Sequence, residues 1–171
     1  DTSTRPVTVM LLDNRERVWV GDTGTVIWFH DGESWQAIPL PEKETEDFPT
    51  AARKGPDGLP WFGTQAGRIL RVREDPLRLE KVPVPSSMQT SILGLCFDAT
   101  QGLWIGTQGD GIYHQKGNHW KNYTVGSGLA SDTCSFLTDL QGQIVAGCDR
   151  GVIIINPADN AIRLLTQEDG L

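Results

Sequence analysis

A glycine recurs at Gly21, Gly63, Gly106 and Gly147, at separations of 42, 43 and 41 residues. The residues around it recur too. Two positions before it stand Trp19, Trp61, Trp104 and Val145; eight before stand Asp13, Asp98 and Asp139, with Gly55 in the second copy; three to five after come Gly24, Gly67, Gly111 and Gly151. A period in the low forties requires a chain built from stacked copies of one supersecondary unit, each burying its apolar face on a neighbour.

The third copy shows what the unit is. Leu93, Leu95 and Phe97 alternate with Ile92, Gly94 and Cys96, which predicts a strand apolar on both faces. Asp98 and Gly102 mark a turn, Leu103 to Ile105 a second strand, Gly109 to Gly111 another turn, and Ile112 begins a third strand. Lys116 to Asn118 then reverses the chain into a fourth strand carrying Trp120 and Tyr123. Four antiparallel strands at this period predict an all-β propeller of four four-stranded blades, at about 1–41, 42–85, 86–127 and 128–171, in one propeller domain or part of a larger or oligomeric one. The second copy has a poor first strand, Ala51 to Lys54. The recurring Trp is expected to fill the gap between neighbouring blades rather than to cage a ligand.

Composition excludes several roles. A net charge of −7 and a pI near 4.9, with no Lys/Arg cluster, argue against nucleic acid or an anionic membrane as partner. The longest aliphatic run, Val152 to Ile155, is far short of a membrane span, so direct membrane insertion is not expected. The chain begins at Asp1, consistent with removal of a leader or a larger upstream region. Three cysteines do not make a disulfide framework: Cys96, Cys134 and Cys148 are expected to be buried thiols, and Cys134 could join Cys148 only if adjacent strands bring them together.

Successive strands reverse, so the turns between second and third strands share a rim with the connections between blades. That rim is the expected ligand surface, carrying Asp22, Thr23, Gln65, Gln108, Asp110, Asp149 and Arg150 beside the loops 39–50, 84–91 and 125–132. Short polar side chains of this kind suit a small molecule or carbohydrate, with plain surface turns as the bland alternative. No catalytic residue, metal ligand or cofactor is expected. There is no nucleophile elbow, no metal-binding His pair on a helix and no Cys-x-x-Cys. His30 reads as a solvated turn residue, His114 and His119 as flanking a hairpin, Asn122 as an ordinary strand residue, and Glu42 to Asp47 as a solvated acidic loop lacking the spacing of a calcium loop.

The segment Gly55 to Thr64, followed by Gly67 to Arg71 and Val82 to Pro85, resembles one blade of the streptogramin (virginiamycin B) lyase propellers. That family uses a His base and a divalent cation elsewhere in a longer chain, and no His of this chain aligns with it. A second resemblance is broader. Asp98 to Thr107, Gly111 to Tyr113, Trp120 to Thr124, Gly128 to Asp132 and Asp139 to Gly147 resemble the two-component regulator propeller repeat, and the first copy fits through Asp13, Trp19, Gly21 and Trp35. Gly55, Val145, Asp22 and Cys148 depart from its pattern. The resemblance implies a periplasmic or extracytoplasmic sensor input domain, although the odd cysteine count leaves the cytoplasm open. The expected function is therefore a non-catalytic ligand-sensing or partner-binding module, with a propeller lyase and a structural interaction platform as rivals. Unpartnered terminal blades would self-associate.

Overall fold

Strand pairing follows the turn spacing. The computed structural model describes residues 4–41, 47–165 and 167–170. The first sheet comprises β1 (Val7–Leu12), β2 (Val18–Asp22), β3 (Val26–His30) and β4 (Trp35–Pro39), and the second β5 (Pro49–Lys54), β6 (Pro60–Thr64), β7 (Ile69–Glu74) and β8 (Leu77–Val82). The third comprises β9 (Ile92–Phe97), β10 (Leu103–Thr107), β11 (Ile112–Lys116) and β12 (His119–Tyr123), and the fourth β13 (Cys134–Leu140), β14 (Gln143–Cys148), β15 (Gly151–Ile155) and β16 (Ile162–Leu165). All four sheets are antiparallel meanders in chain order, the blades of a β-propeller. The chain divides into two compact units, 1–84 and 85–171, of two blades each. The poor first strand of the second blade forms nonetheless, because β6 supplies its pairing and Ala51 is small enough to be buried.

Each first strand carries a bulge at the same place, between Val7 and Val9, Pro49 and Ala51, Ile92 and Gly94, and Cys134 and Phe136. The bulge twists the strand where the neighbouring blade docks. That docking explains the marker glycine. A Cβ at Gly106 would strike the Cys134 carbonyl of the fourth blade, and one at Gly21 would strike Pro49 of the second. At Gly147 the nearest atom is 3.4 Å away, on Phe136 of its own blade. Gly106→Ala should therefore cost about 2 kcal/mol through backbone overpacking, whereas Gly147→Ala should stay within about 0.5 kcal/mol. Urea unfolding of the two variants checks the contrast.

The core of each unit lies between its two blades. Trp19, fully buried, stacks on Phe29 with centroids 4.7 Å apart and meets Phe62 of the second blade. Trp104, equally buried, belongs to the cluster of Leu137, Ile144, Ala146 and Ile153 in the fourth. The aromatic column thus fills the gap between blades at these two positions. Trp61 is only half-buried and takes the Arg71 guanidinium over its ring.

The cysteines depart from expectation. Cys134 and Cys148 form a disulfide instead of remaining thiols, because they are directly opposed on β13 and β14 with Cα atoms 4.1 Å apart. The register was not legible because the bulge beside Cys134 shifts it. Cys96 is buried outside the disulfide. The bridge closes a sequence separation of 14, for which loss of loop entropy in the unfolded chain gives about 3 kcal/mol. Denaturation with and without a reductant should show that difference, and Cys134→Ala/Cys148→Ala should be insensitive to the reductant.

Candidate functional site

The rim residues sit where the turn spacing puts them. Thr23, Gln65, Gln108 and Asp149, each two positions past the marker glycine, donate their backbone N–H to the carbonyls of Pro6, Phe48, Ser91 and Thr133 at 3.2, 3.0, 2.9 and 3.3 Å. Each bond fastens the turn after the second strand to the residue entering the first strand of the same blade. In the second unit, Thr133 also bridges to Gln108, which brings Gln108 and Asp149 to either side of it. The side chains of Thr23, Gln65, Gln108, Asp149 and Arg150 are exposed. Asp22 and Asp110 are engaged in local structure. Asp22 Oδ1 accepts the Gly24 N–H at 2.6 Å, and Asp110 Oδ2 accepts the Gln89 N–H, the Thr90 N–H and the Thr90 hydroxyl at 2.9, 3.1 and 2.9 Å. Of the acidic loop, 42–46 lie outside the described residues; Asp47 is buried and accepts from Ala66 N–H and Arg68.

The turns between the first and second strands hold the stronger constellation. Asp13 Oδ2 accepts the Trp19 indole N–H at 2.8 Å and Arg17 Nε at 2.7 Å, while its Oδ1 accepts the N–H groups of Arg15 and Arg17. Burial would raise its pKa, but these bonds outweigh it and hold the carboxyl below the ordinary range. Asp98 repeats the device: Oδ2 accepts the Trp104 indole N–H at 2.9 Å, and Oδ1 accepts from Thr100 N, Thr100 Oγ1 and Gly102 N. Burial again pushes its pKa up and the bonds, led by Trp104, bring it down. The Asp and Trp that recur six residues apart in sequence are therefore bonded to each other. Asp139 keeps the carboxylate, but Val145 has no N–H to offer. Its Oδ1 accepts Gly142 N–H at 3.1 Å, and its Oδ2 is buried without a hydrogen-bond partner.

His114 joins this edge. Its ring stacks on Trp104 with centroids 3.9 Å apart and planes 12° from parallel, and it is 9% exposed. His114 Nε2 lies 3.3 Å from Asp98 Oδ2, close enough for charge attraction but without hydrogen-bond geometry. Burial lowers the imidazole pKa more than Asp98 raises it, so the ring is neutral at pH 7. The folded pKa lies below the unfolded value of about 6.5. This residue's stabilising contribution is thus complete above that value and declines as pH falls toward the folded one. Imidazole NMR should accordingly find His114 titrating below an unfolded reference peptide. His119 is exposed, opposite Lys116 on the neighbouring strand, and His30 Nδ1 accepts the Gly32 N–H. Among the described residues, no three metal-ligating side chains converge.

Between the third and fourth blades, a cavity of about 240 Å³ opens at this edge. Asp98, Thr100, His114 and Lys116 line one wall, and Asp139, Gly142, Asn156 and Pro157 the other. It lies at the ends of the sheets opposite the rim turns. Sequence pattern did not reveal it, because an Asp that follows the repeat looks like a turn former wherever it falls.

Sheets, repeat and docking define the class: segments of β-propeller. No family model matches the chain, and a search of characterised proteins finds no relative. Solved structures do resemble it. The extracellular domain of a protein assigned to a hybrid two component system of B. thetaiotaomicron superposes with a TM-score of 0.77 at 14% identity, over 96% of this chain and 25% of that one. Virginiamycin B lyase from Staphylococcus aureus superposes with a TM-score of 0.76 at 16% identity, over 96% of this chain and 57% of the enzyme. Both resemblances carried by the sequence therefore appear among its structural neighbours, and at this identity they establish the fold. The chain spans about a quarter of that extracellular domain and little more than half of the lyase.

Proposed function

We propose that this chain supplies blades to an extracytoplasmic, non-catalytic sensing propeller of a two-component-type regulator. The observation that carries this reading is its likeness to extracellular domains of proteins assigned to hybrid two component systems, here over 96% of the chain at a TM-score of 0.75. The Cys134–Cys148 disulfide supports the compartment, since such bonds persist where thiols are not kept reduced. A small molecule or oligosaccharide is the expected ligand, met at the turns after the second strands, by Thr23 and Gln65 in the first unit or by Gln108, Asp149 and Arg150 in the second. A ligand that binds only the folded form at 100 times its Kd adds about 2.7 kcal/mol. A thermal-shift panel of oligosaccharides and small metabolites should therefore contain a compound that raises Tm by several degrees, and Gln108→Ala/Asp149→Ala should blunt it. A panel without any shift would favour a structural platform. The lyase reading rests on the likeness to virginiamycin B lyase. It predicts magnesium-dependent opening of quinupristin, which mass spectrometry should not detect.

A second copy of this chain is the partner proposed for the first and fourth blades. On the first sheet, Met10, Val20 and Trp28 are aligned by register, with Met10 70% exposed. On the fourth, Phe136 is 78% exposed, and Leu140 is exposed on the same strand. Apolar sheet faces of this kind are built to be covered.

A further inference from the structure

Each blade has two faces, and the joints inside the two units show which face meets which. In the second unit the third blade receives and the fourth inserts. The Ser135 and Cys134 carbonyls of the fourth blade lie where a Cβ on Gly94 or Gly106 would stand. Beside them Leu137, Ala146 and Ile153, aligned across β13, β14 and β15, are buried. In the first unit Pro49 of the second blade lies against Gly21 in the same way, with Ala52, Phe62 and Leu70 aligned across β5, β6 and β7.

The register gives the first blade an inserting face and the fourth a receiving face, neither of them mated within its own unit. Met10, Val20 and Trp28 hold the positions of Leu137, Ala146 and Ile153. Yet Met10 is 70% exposed where Leu137 is 7%, and Trp28 is 39% exposed where Ile153 is 0%. On the fourth blade Gly147 holds the place of Gly106, and Val145 that of Trp104. The three atoms nearest a Cβ on Gly147 all belong to Phe136, itself highly exposed.

Side-chain size identifies the mate. In both internal joints the large ring stands on the receiving face, as Trp19 or Trp104, and the inserting face answers with Leu70 or Ile153. At the unmated faces the sizes are exchanged: Val145 receives and Trp28 inserts. A joint reaches native density when large side chains face small ones, whichever side holds the large one. Two inserting faces brought together would instead oppose Trp28 to Trp28 and leave Gly147 without the strand that such a glycine admits.

We infer that the first-blade face of one copy seats on the fourth-blade face of another, the bulge of β1 entering at Gly147 and Trp28 filling the space left by Val145. The contact is heterologous, head to tail. This pairing rests on the self-association proposed above and specifies its two surfaces.

The test is sedimentation equilibrium of the full chain as wild type, as Met10→Asp, which spoils the inserting face, and as Phe136→Asp, which spoils the receiving one. Both changes fall on exposed side chains. Alone, each variant should associate about a hundredfold more weakly than the wild type, because the contact would bury an unpaired charge. Mixed in equal amounts, they should form a dimer with one copy of each, joined by the one intact pair of faces. Gly147→Ala should weaken association about tenfold, because its Cβ stands in the path of the incoming strand. A wild type that stays monomeric at every concentration removes self-association and this pairing with it. If the wild type associates, three results overturn the pairing and leave self-association standing: either aspartate variant alone associating as tightly as the wild type, a mixture without the heterodimer, or Gly147→Ala associating unchanged.

Discussion

Trp104→Ala is expected to destabilise the second unit by about 4 kcal/mol, within the range for emptying a buried aromatic site. Several losses combine. The ring is fully buried, stacked on His114 and on Tyr123, and packed on the apolar residues of the fourth blade. Its indole N–H also satisfies Asp98 Oδ2. Trp104→Phe keeps most of the packing and removes only that donor, so it should cost about 2 kcal/mol, the price of a hydrogen bond to a charged group. Urea unfolding of both variants checks the division. A cost below about 1 kcal/mol for Trp104→Ala would mean that the blades do not dock through this residue.

Asp13→Ala is expected to cost about 3 kcal/mol, because it breaks a buried ion pair and strips a buried indole of its acceptor. Arg17 keeps its bond to Glu74 at 2.9 Å, which moderates the loss. Asp139→Ala should cost about 1 kcal/mol, since only the Gly142 N–H depends on that carboxylate. The pH dependence has a definite sign. Asp13 is held below its ordinary pKa of 3.8 in the folded state. Its stabilisation is therefore present above that value and is lost as pH falls through the lower folded value. Acid titration of the wild type and Asp13→Ala should converge at low pH; parallel curves would place the stabilisation elsewhere.

The blades were legible because Asp, Trp and Gly recur at fixed offsets, and each residue of the trio answers a local demand. Asp closes the turn, Trp fills the gap between blades, and Gly admits the neighbouring strand at close range. The bond between Asp and Trp was not legible, since period alone does not say which side chains meet across a turn. Nor was the bridge between Cys134 and Cys148, whose pairing depends on the bulge. The rim positions of Gln108 and Asp149 followed from strand reversal. The cavity at the opposite edge did not, because its signal is a missing partner: Val145 standing where a Trp would have satisfied Asp139. His114 looked like a hairpin residue, and only its stacking on Trp104 shows how deeply it is buried.

Each blade uses its neighbour to bury the face that its own four strands leave bare, and this is what the recurring trio encodes. The exposed Met10 and Trp28 on the first sheet and Phe136 and Leu140 on the fourth extend that logic to apolar surface that neither unit covers by itself. Sedimentation equilibrium over a wide concentration range tests it most directly. The account predicts reversible self-association that Phe136→Asp, on a highly exposed side chain, weakens. A monomer at every concentration, or association untouched by Phe136→Asp, would contradict it.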